Sequence, residues 1–131
     1  MTKDELERRT KAFAVDAIRF AAKLPQTRTA QLLAGQFLRA ATSIGANYRE
    51  ANRAESRKDF VHKIAIVEKE AAEALYWIEI FQAATIGPPA EQVRLYRECD
   101  QIVAIFTRIG RTAKLRDAKS EIRNPKSAIP E

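Results

Sequence analysis

Apolar residues return every three or four positions along most of the chain, and the recurrence breaks at only three places, each carrying a helix stop or start. Strands alternate with a period of two, so this spacing confines the chain to amphipathic helices. Thr2-Lys3-Asp4-Glu5 forms a capping box, in which the Thr2 hydroxyl accepts the Glu5 amide and the Glu5 carboxylate reaches back. Leu6, Phe13, Ala17, Phe20 and Leu24 follow on one face. Pro25 ends this helix, because the residue before a proline is pushed out of the α region. A second helix begins near Thr27–Thr29 and runs toward Ala54, with the stripe Leu33, Phe37 (or Gln36), Ala40, Ile44, Tyr48 and Ala51. Ser56-Arg57-Lys58-Asp59 offers another capping box and starts a third helix, which carries Phe60, Ile64, Val67, Ala71, Leu75, Ile78 and Phe81 and ends at Ile86-Gly87. Gly87 suits a left-handed cap, and Pro88-Pro89 stops helix three and pre-sets the first turn of helix four. Helix four uses Leu95, Cys99, Ile102, Phe106, Ile109 and Ala113.

The short connections force consecutive helices antiparallel, predicting an all-α, up-down-up-down antiparallel four-helix bundle. A chain of 131 residues with four glycines supports one such domain and little sheet. The bundle is expected over residues 1–114. Residues 115–131 are expected to form a basic tail, because the pattern fades after Lys114 and both Asn124-Pro125-Lys126 and Ile129-Pro130-Glu131 interrupt helices. The stripes are wider than one seam requires. Ile66, Tyr76, Trp77 and Ile80 widen helix three, and Tyr96, Val103 and Ile105 widen helix four. One face per helix is what a lone bundle buries, so the surplus predicts a homo-oligomer.

A single cysteine permits no internal disulfide and fits a reducing, cytoplasmic compartment. The charged start lacks the apolar region of a secretory signal, and no run approaches the roughly 18 apolar residues of a membrane span. The formal net charge is +6, and between Arg108 and Glu131 seven Lys/Arg stand against three Asp/Glu. Such a balance permits nucleic acid, anionic lipid or an acidic protein as partner.

A polar stripe crosses this pattern. Gln36, Arg39, Ser43, Asn47 and Glu50 share one side of helix two. Antiparallel pairing about the turn near Glu55 sets residues opposite each other when their numbers add to roughly 110. Arg39 then faces Glu70–Glu73, Asn47 faces Lys63, and Glu50 faces Phe60–Lys63. We read these as a structural polar network that fixes helix register, since an arginine beside a carboxylate at matched register is more often a packing device than a catalyst.

Leu33-x-x-Gln36-Phe37-x-Arg39-Ala40-x-x-Ser43-Ile44-x-x-Asn47-x-x-Glu50, followed by Phe60-x-x-x-Ile64-x-Ile66 and Glu73, resembles the signature of the bacterial 23S rRNA intervening-sequence protein family. The resemblance covers roughly Phe13 to Ala113 and includes Leu24-Pro25 and the Pro88-Pro89 turn. It departs at Ala51, where the family usually has glycine, and at Glu70, where a small residue is common. It implies a homo-oligomer, a pentamer, with a positively charged face. Related proteins serve diversity-generating retroelements, where a basic pentamer binds reverse transcriptase and nucleic acid.

Two basic groups converge in an antiparallel bundle, because the ends of helices two and four share one end of the molecule. Arg49, Arg53, Arg57 and Lys58 cluster at the second turn, and Arg108, Arg111, Lys114 and Arg116 crowd the end of helix four. Together they predict phosphate-backbone binding by charge and shape. No recognition-helix motif, zinc finger or stacking platform accompanies them, so sequence-specific reading is not expected. Catalysis has little to stand on. His62 is the lone histidine beside Lys63, Cys99 falls on a core stripe, and Glu68, Glu70 and Glu73 lack the Glu-x-x-His pairs of bundle metal sites. Trp77, Tyr76 and Phe81 fit core and interface. The expected function is therefore a non-catalytic, cofactor- and metal-free oligomer that holds RNA or DNA. The alternative is a protein–protein adaptor for an acidic protein or a reverse-transcriptase-like enzyme.

Overall fold

The computed structural model describes residues 1–123, and the expected tail motifs at Asn124-Pro125-Lys126 and Ile129-Pro130-Glu131 lie outside them. Four helices follow in order: α1 (Lys3–Ala21), α2 (Arg28–Ala51), α3 (Arg57–Ala83) and α4 (Pro89–Arg123). They pack as a four-membered ring in which α2 meets α1 and α3, and α4 meets α3 and α1. There is no strand among the described residues. The start of α1, the α2–α3 turn and the later turns of α4 share one end of the bundle, and the α1–α2 and α3–α4 turns share the other.

Each start is chemically marked. Thr2 and Glu5 close the capping box, and the Thr27 and Ser56 hydroxyls accept the Ala30 and Asp59 amides. At Ser56 only this half of the box forms, and the Asp59 carboxylate accepts instead from the Glu55 amide at 3.4 Å. The stop of α3 differs from expectation. The left-handed residue is Thr85, at φ 58°, two residues before Gly87, which is itself at φ 96°. The Ile86 amide donates to Phe81 O at 2.9 Å and the Thr85 amide to Gln82 O at 3.3 Å, the paired bonds of a Schellman turn. Buried Gln92 locks this turn from α4, its Nε2 donating to the Ile86, Phe81 and Gly87 carbonyls. Gly87 is needed for space as well, since a Cβ there would stand 2.6 Å from Phe20 Cζ.

Phe20, Phe37 and Phe81 meet edge-on at centroid distances of 5.3–6.2 Å near this turn, and Tyr48 meets Phe106 at 5.1 Å toward the opposite end. Leu6, Phe13, Ala17, Ile44, Ile64, Val67, Ile102 and Cys99 belong to the same continuous core. Alanines dominate the buried face of α2, which lets its neighbours approach closely. Of the surplus apolar residues on α3 and α4, only Tyr76 is exposed. Trp77, Tyr96, Val103 and Ile105 pack against the bundle's own core.

Helix α4 runs nine residues past the expected boundary at Lys114 and is α-helical to Arg123. Polar ties hold this extension. Arg57 Nη1 donates to Arg116 O at 3.3 Å, and Lys58 pairs with Glu121 at 3.0 Å. An apolar stripe is therefore unnecessary here, which is why its fading gave no warning of the helix.

Candidate nucleic-acid interface at the basic end

The polar stripe of α2 divides into two kinds of contact. Arg39 bridges to α3, reaching Glu70 Oε2 at 3.1 Å and the Glu73 carboxylate, and Lys63 pairs with Glu50 at 3.6 Å. Glu70 is the buried member of this set, and both carboxylates raise the Arg39 guanidinium pKa, Glu70 most strongly. Ser43 and Asn47 instead turn back on their own helix, donating to Arg39 O at 2.6 Å and Ser43 O at 2.8 Å. The expected Asn47–Lys63 contact is not formed, because short polar side chains find the carbonyl four residues back before they reach a neighbour. Gln36 is exposed. Of the polar stripe, Arg39 and Glu50 reach across to α3, and Ser43 and Asn47 do not.

At the other feature singled out by sequence, the α2–α3 turn and α4 enclose an open groove of about 700 Å³ with the first turn of α1. Its floor is apolar, made by Phe60, Ile109, Ala54 and Ala113, with buried Tyr48 beneath. Its rim carries Lys3, Arg57, Arg108 and Arg116 against one carboxylate, Glu55. Among the described residues, none of these four cations forms a salt bridge. Arg57 lines the groove and is oriented by its bond to Arg116 O. Burial pushes the Tyr48 phenol above its ordinary range, with Asn52 opposing by hydrogen bonding.

The predicted basic residues distribute unevenly around this groove. Arg57 and Arg108 line it, and Arg53, Arg111 and Lys114 are exposed nearby on the same end of the bundle without lining it. Arg49 stands 3.9 Å from Glu7 on α1, and Lys58 is engaged by Glu121, whose hydrogen bond raises the ammonium pKa. Lys3 and the Phe60–Ile109 floor escaped the sequence reading. The antiparallel order held the signal for Lys3, since it brings the start of α1 to the end where α2 finishes. Elsewhere, Cys99 is buried with its thiol pushed up to about 12 by burial and by Asp100 and Glu98, and its Sγ contacts Ala71 O. His62 is exposed. No group of three His, Cys, Asp or Glu suited to a metal ion occurs among the described residues, and none of their helices is long and apolar enough to cross a membrane.

Fold and site together define a small antiparallel four-helix bundle with a cation-rimmed groove at one end. Residues 3–108 match the family described as 23S rRNA-intervening sequence protein. The chain belongs to this family. A crystal structure at 1.70 Å of a protein of unknown function from the S23 ribosomal protein family of Bacteroides thetaiotaomicron VPI-5482 is similar, with 30% identity and a TM-score of 0.75. The likeness covers 85% of this chain and 99% of that one. The search of curated proteins gave no match. The matched span stops at Arg108, so Arg111, Lys114 and Arg116 lie beyond it.

Proposed function

We propose that the protein is a non-catalytic, homo-oligomeric binder of RNA or DNA, a pentamer by family resemblance, that holds phosphates on its basic end. The observation that carries this reading is the convergence of Lys3, Arg57, Arg108 and Arg116 on one groove with a single carboxylate among them. Cations at a helix C-terminus also answer the helix dipole. That alternative accounts for none of the four, since Arg57 and Lys3 sit in the first turns of α3 and α1, where the dipole disfavours positive charge, and Arg108 and Arg116 lie before the last turn of α4, which runs to Arg123. Three arginines favour phosphate, because the guanidinium fork matches its oxygens in a way an ammonium does not. The non-catalytic part of the proposal draws on Cys99, whose buried and protonated thiol is a poor nucleophile.

The test is a binding titration against structured RNA, single-stranded DNA and duplex DNA across a salt series, with mass measured by light scattering. Salt-sensitive binding by an oligomer supports the proposal. No binding at low salt overturns it and moves the assignment to an adaptor with an acidic protein partner. Charge reversal locates the surface. Arg108→Glu with Arg116→Glu abolishes binding if the groove is the site, whereas Arg49→Glu with Arg53→Glu does so if the outer face of α2 is.

A further inference from the structure

The groove differs from a plain basic patch in having an apolar floor inside its cationic rim. Duplex nucleic acid presents phosphates and sugars to a protein's surface and keeps its base faces stacked, so it gives Phe60 and Ile109 nothing to cover. A single strand presents both a charged backbone and free base faces, the two chemistries found here. Arg108 and Arg116 are eight residues apart on α4, about 12 Å along the helix, which spaces them for separate phosphates of one strand. Phe60 and Ile109 are half-buried on the bundle side, leaving a partly open apolar surface between those cations. Thr112 adds a hydroxyl at the same opening, able to bond a base edge or a sugar hydroxyl, while the Asn52 amide beside it donates to Glu7 Oε2 at 2.9 Å. The volume, about 700 Å³, lies within the range of sites that enclose a small planar ligand.

We propose that this groove seats an unpaired nucleotide of a single strand, its base against Phe60 and Ile109 and its flanking phosphates on Arg57, Arg108 and Arg116. The inference rests on the phosphate-binding reading above and adds a preference for strands with unpaired bases. An acidic amphipathic peptide would also meet an apolar floor and a basic rim. The guanidinium fork fits carboxylate and phosphate alike, so what favours a nucleotide is the aromatic ring of Phe60 on the floor, against which a flat base stacks.

The experiment compares, by fluorescence anisotropy, a labelled oligothymidylate, the same strand with abasic sites in place of its bases, the corresponding duplex, and an oligoglutamate peptide. The intact strand is expected to bind about tenfold or more tighter than the abasic one, since stacking of even one base on an apolar surface has that effect. Phe60→Leu is expected to narrow this gap while leaving abasic-strand affinity unchanged, and exposed Arg108→Glu to weaken both strands. Equal binding of intact and abasic strands would sink the unpaired-nucleotide site and leave the phosphate-binding reading standing. Tighter binding of the duplex than of the single strand would do the same. Absence of binding to every nucleic acid would remove both readings, and selective binding of oligoglutamate would reassign the groove to an acidic protein.

Discussion

Cys99 shows how far burial, helped by neighbouring carboxylates, can move a titration. Its side chain is enclosed between α3 and α4, and its thiol holds its proton to about 12. The unfolded chain releases the same proton near pH 8.5. Above that pH the unfolded state binds fewer protons than the folded one, so stability falls as pH rises and continues to fall until the folded thiol ionises. The contribution is fully present below about pH 8, and its loss has a limiting slope of about 1.4 kcal/mol per pH unit. Denaturant unfolding of the protein and of Cys99→Ala between pH 8 and 11 isolates this term from the other groups that titrate there. The two stability curves are expected to converge as pH rises. Parallel curves would show that the thiol is not enclosed in solution. The same enclosure predicts that thiol reagents label Cys99 only as fast as the protein opens.

At the scale of elements, what was legible in the sequence depended on whether a local pattern sufficed. The capping box at Thr2, the cap at Ser56 and the stop at Pro25 are local, and the helices begin and end within a few residues of the positions they predict. The pairing of Arg39 with Glu70 and Glu73 was legible too, because antiparallel register converts sequence number into position. Ser43 and Asn47 were misread as interhelical, since the competing carbonyl on their own helix is invisible to register arithmetic. The extension of α4 to Arg123 was missed because it is held by Arg57, Lys58 and Glu121 rather than by an apolar face. The α3–α4 turn exchanged roles between Thr85 and Gly87, with a measurable consequence. Thr85 is exposed and β-branched in a left-handed conformation that glycine adopts freely, so Thr85→Gly is expected to stabilise by about 0.5–1 kcal/mol. Gly87→Ala is expected to cost about 2 kcal/mol or more, because its Cβ meets Phe20 and Leu24 at positive φ. Thermal unfolding distinguishes the two, and equal shifts would contradict the turn's assignment. The Arg39 contact is tested the same way. Arg39→Ala leaves buried Glu70 beside Glu73 without a cation, and a lower melting temperature is expected. Glu70→Gln in that background is expected to recover part of it. An unchanged melting temperature in Arg39→Ala would show that the half-exposed guanidinium contributes nothing to stability.

At the scale of the whole molecule, antiparallel topology does what no single helix does. Lys3, Arg57, Arg108 and Arg116 belong to three helices and span most of the sequence, yet the alternating direction of the chain delivers them to one opening. Five cations elsewhere, Arg9, Lys23, Arg39, Lys63 and Arg94, pair with carboxylates, as with Arg9 and Glu98 at 2.7 Å, whereas the four cations of the groove form no salt bridge among the described residues. Such a constellation makes a quantitative demand on binding. If all four cations displace counterions from a single strand, the logarithm of affinity falls with the logarithm of salt at a slope near −3 per groove. Arg116→Ala is then expected to bring that slope closer to zero by about one unit, with helicity unchanged. Lys58→Ala is the informative comparison. Lys58 is as close to the turn as Arg57, but it is engaged by Glu121 and does not line the groove, so its removal is expected to leave the slope in place. Salt-series titrations of the three proteins check both expectations. Equal loss of slope in the two variants would mean that the strand reads only the summed field of the basic end. A loss confined to Arg116→Ala would mean that the groove itself carries the phosphates.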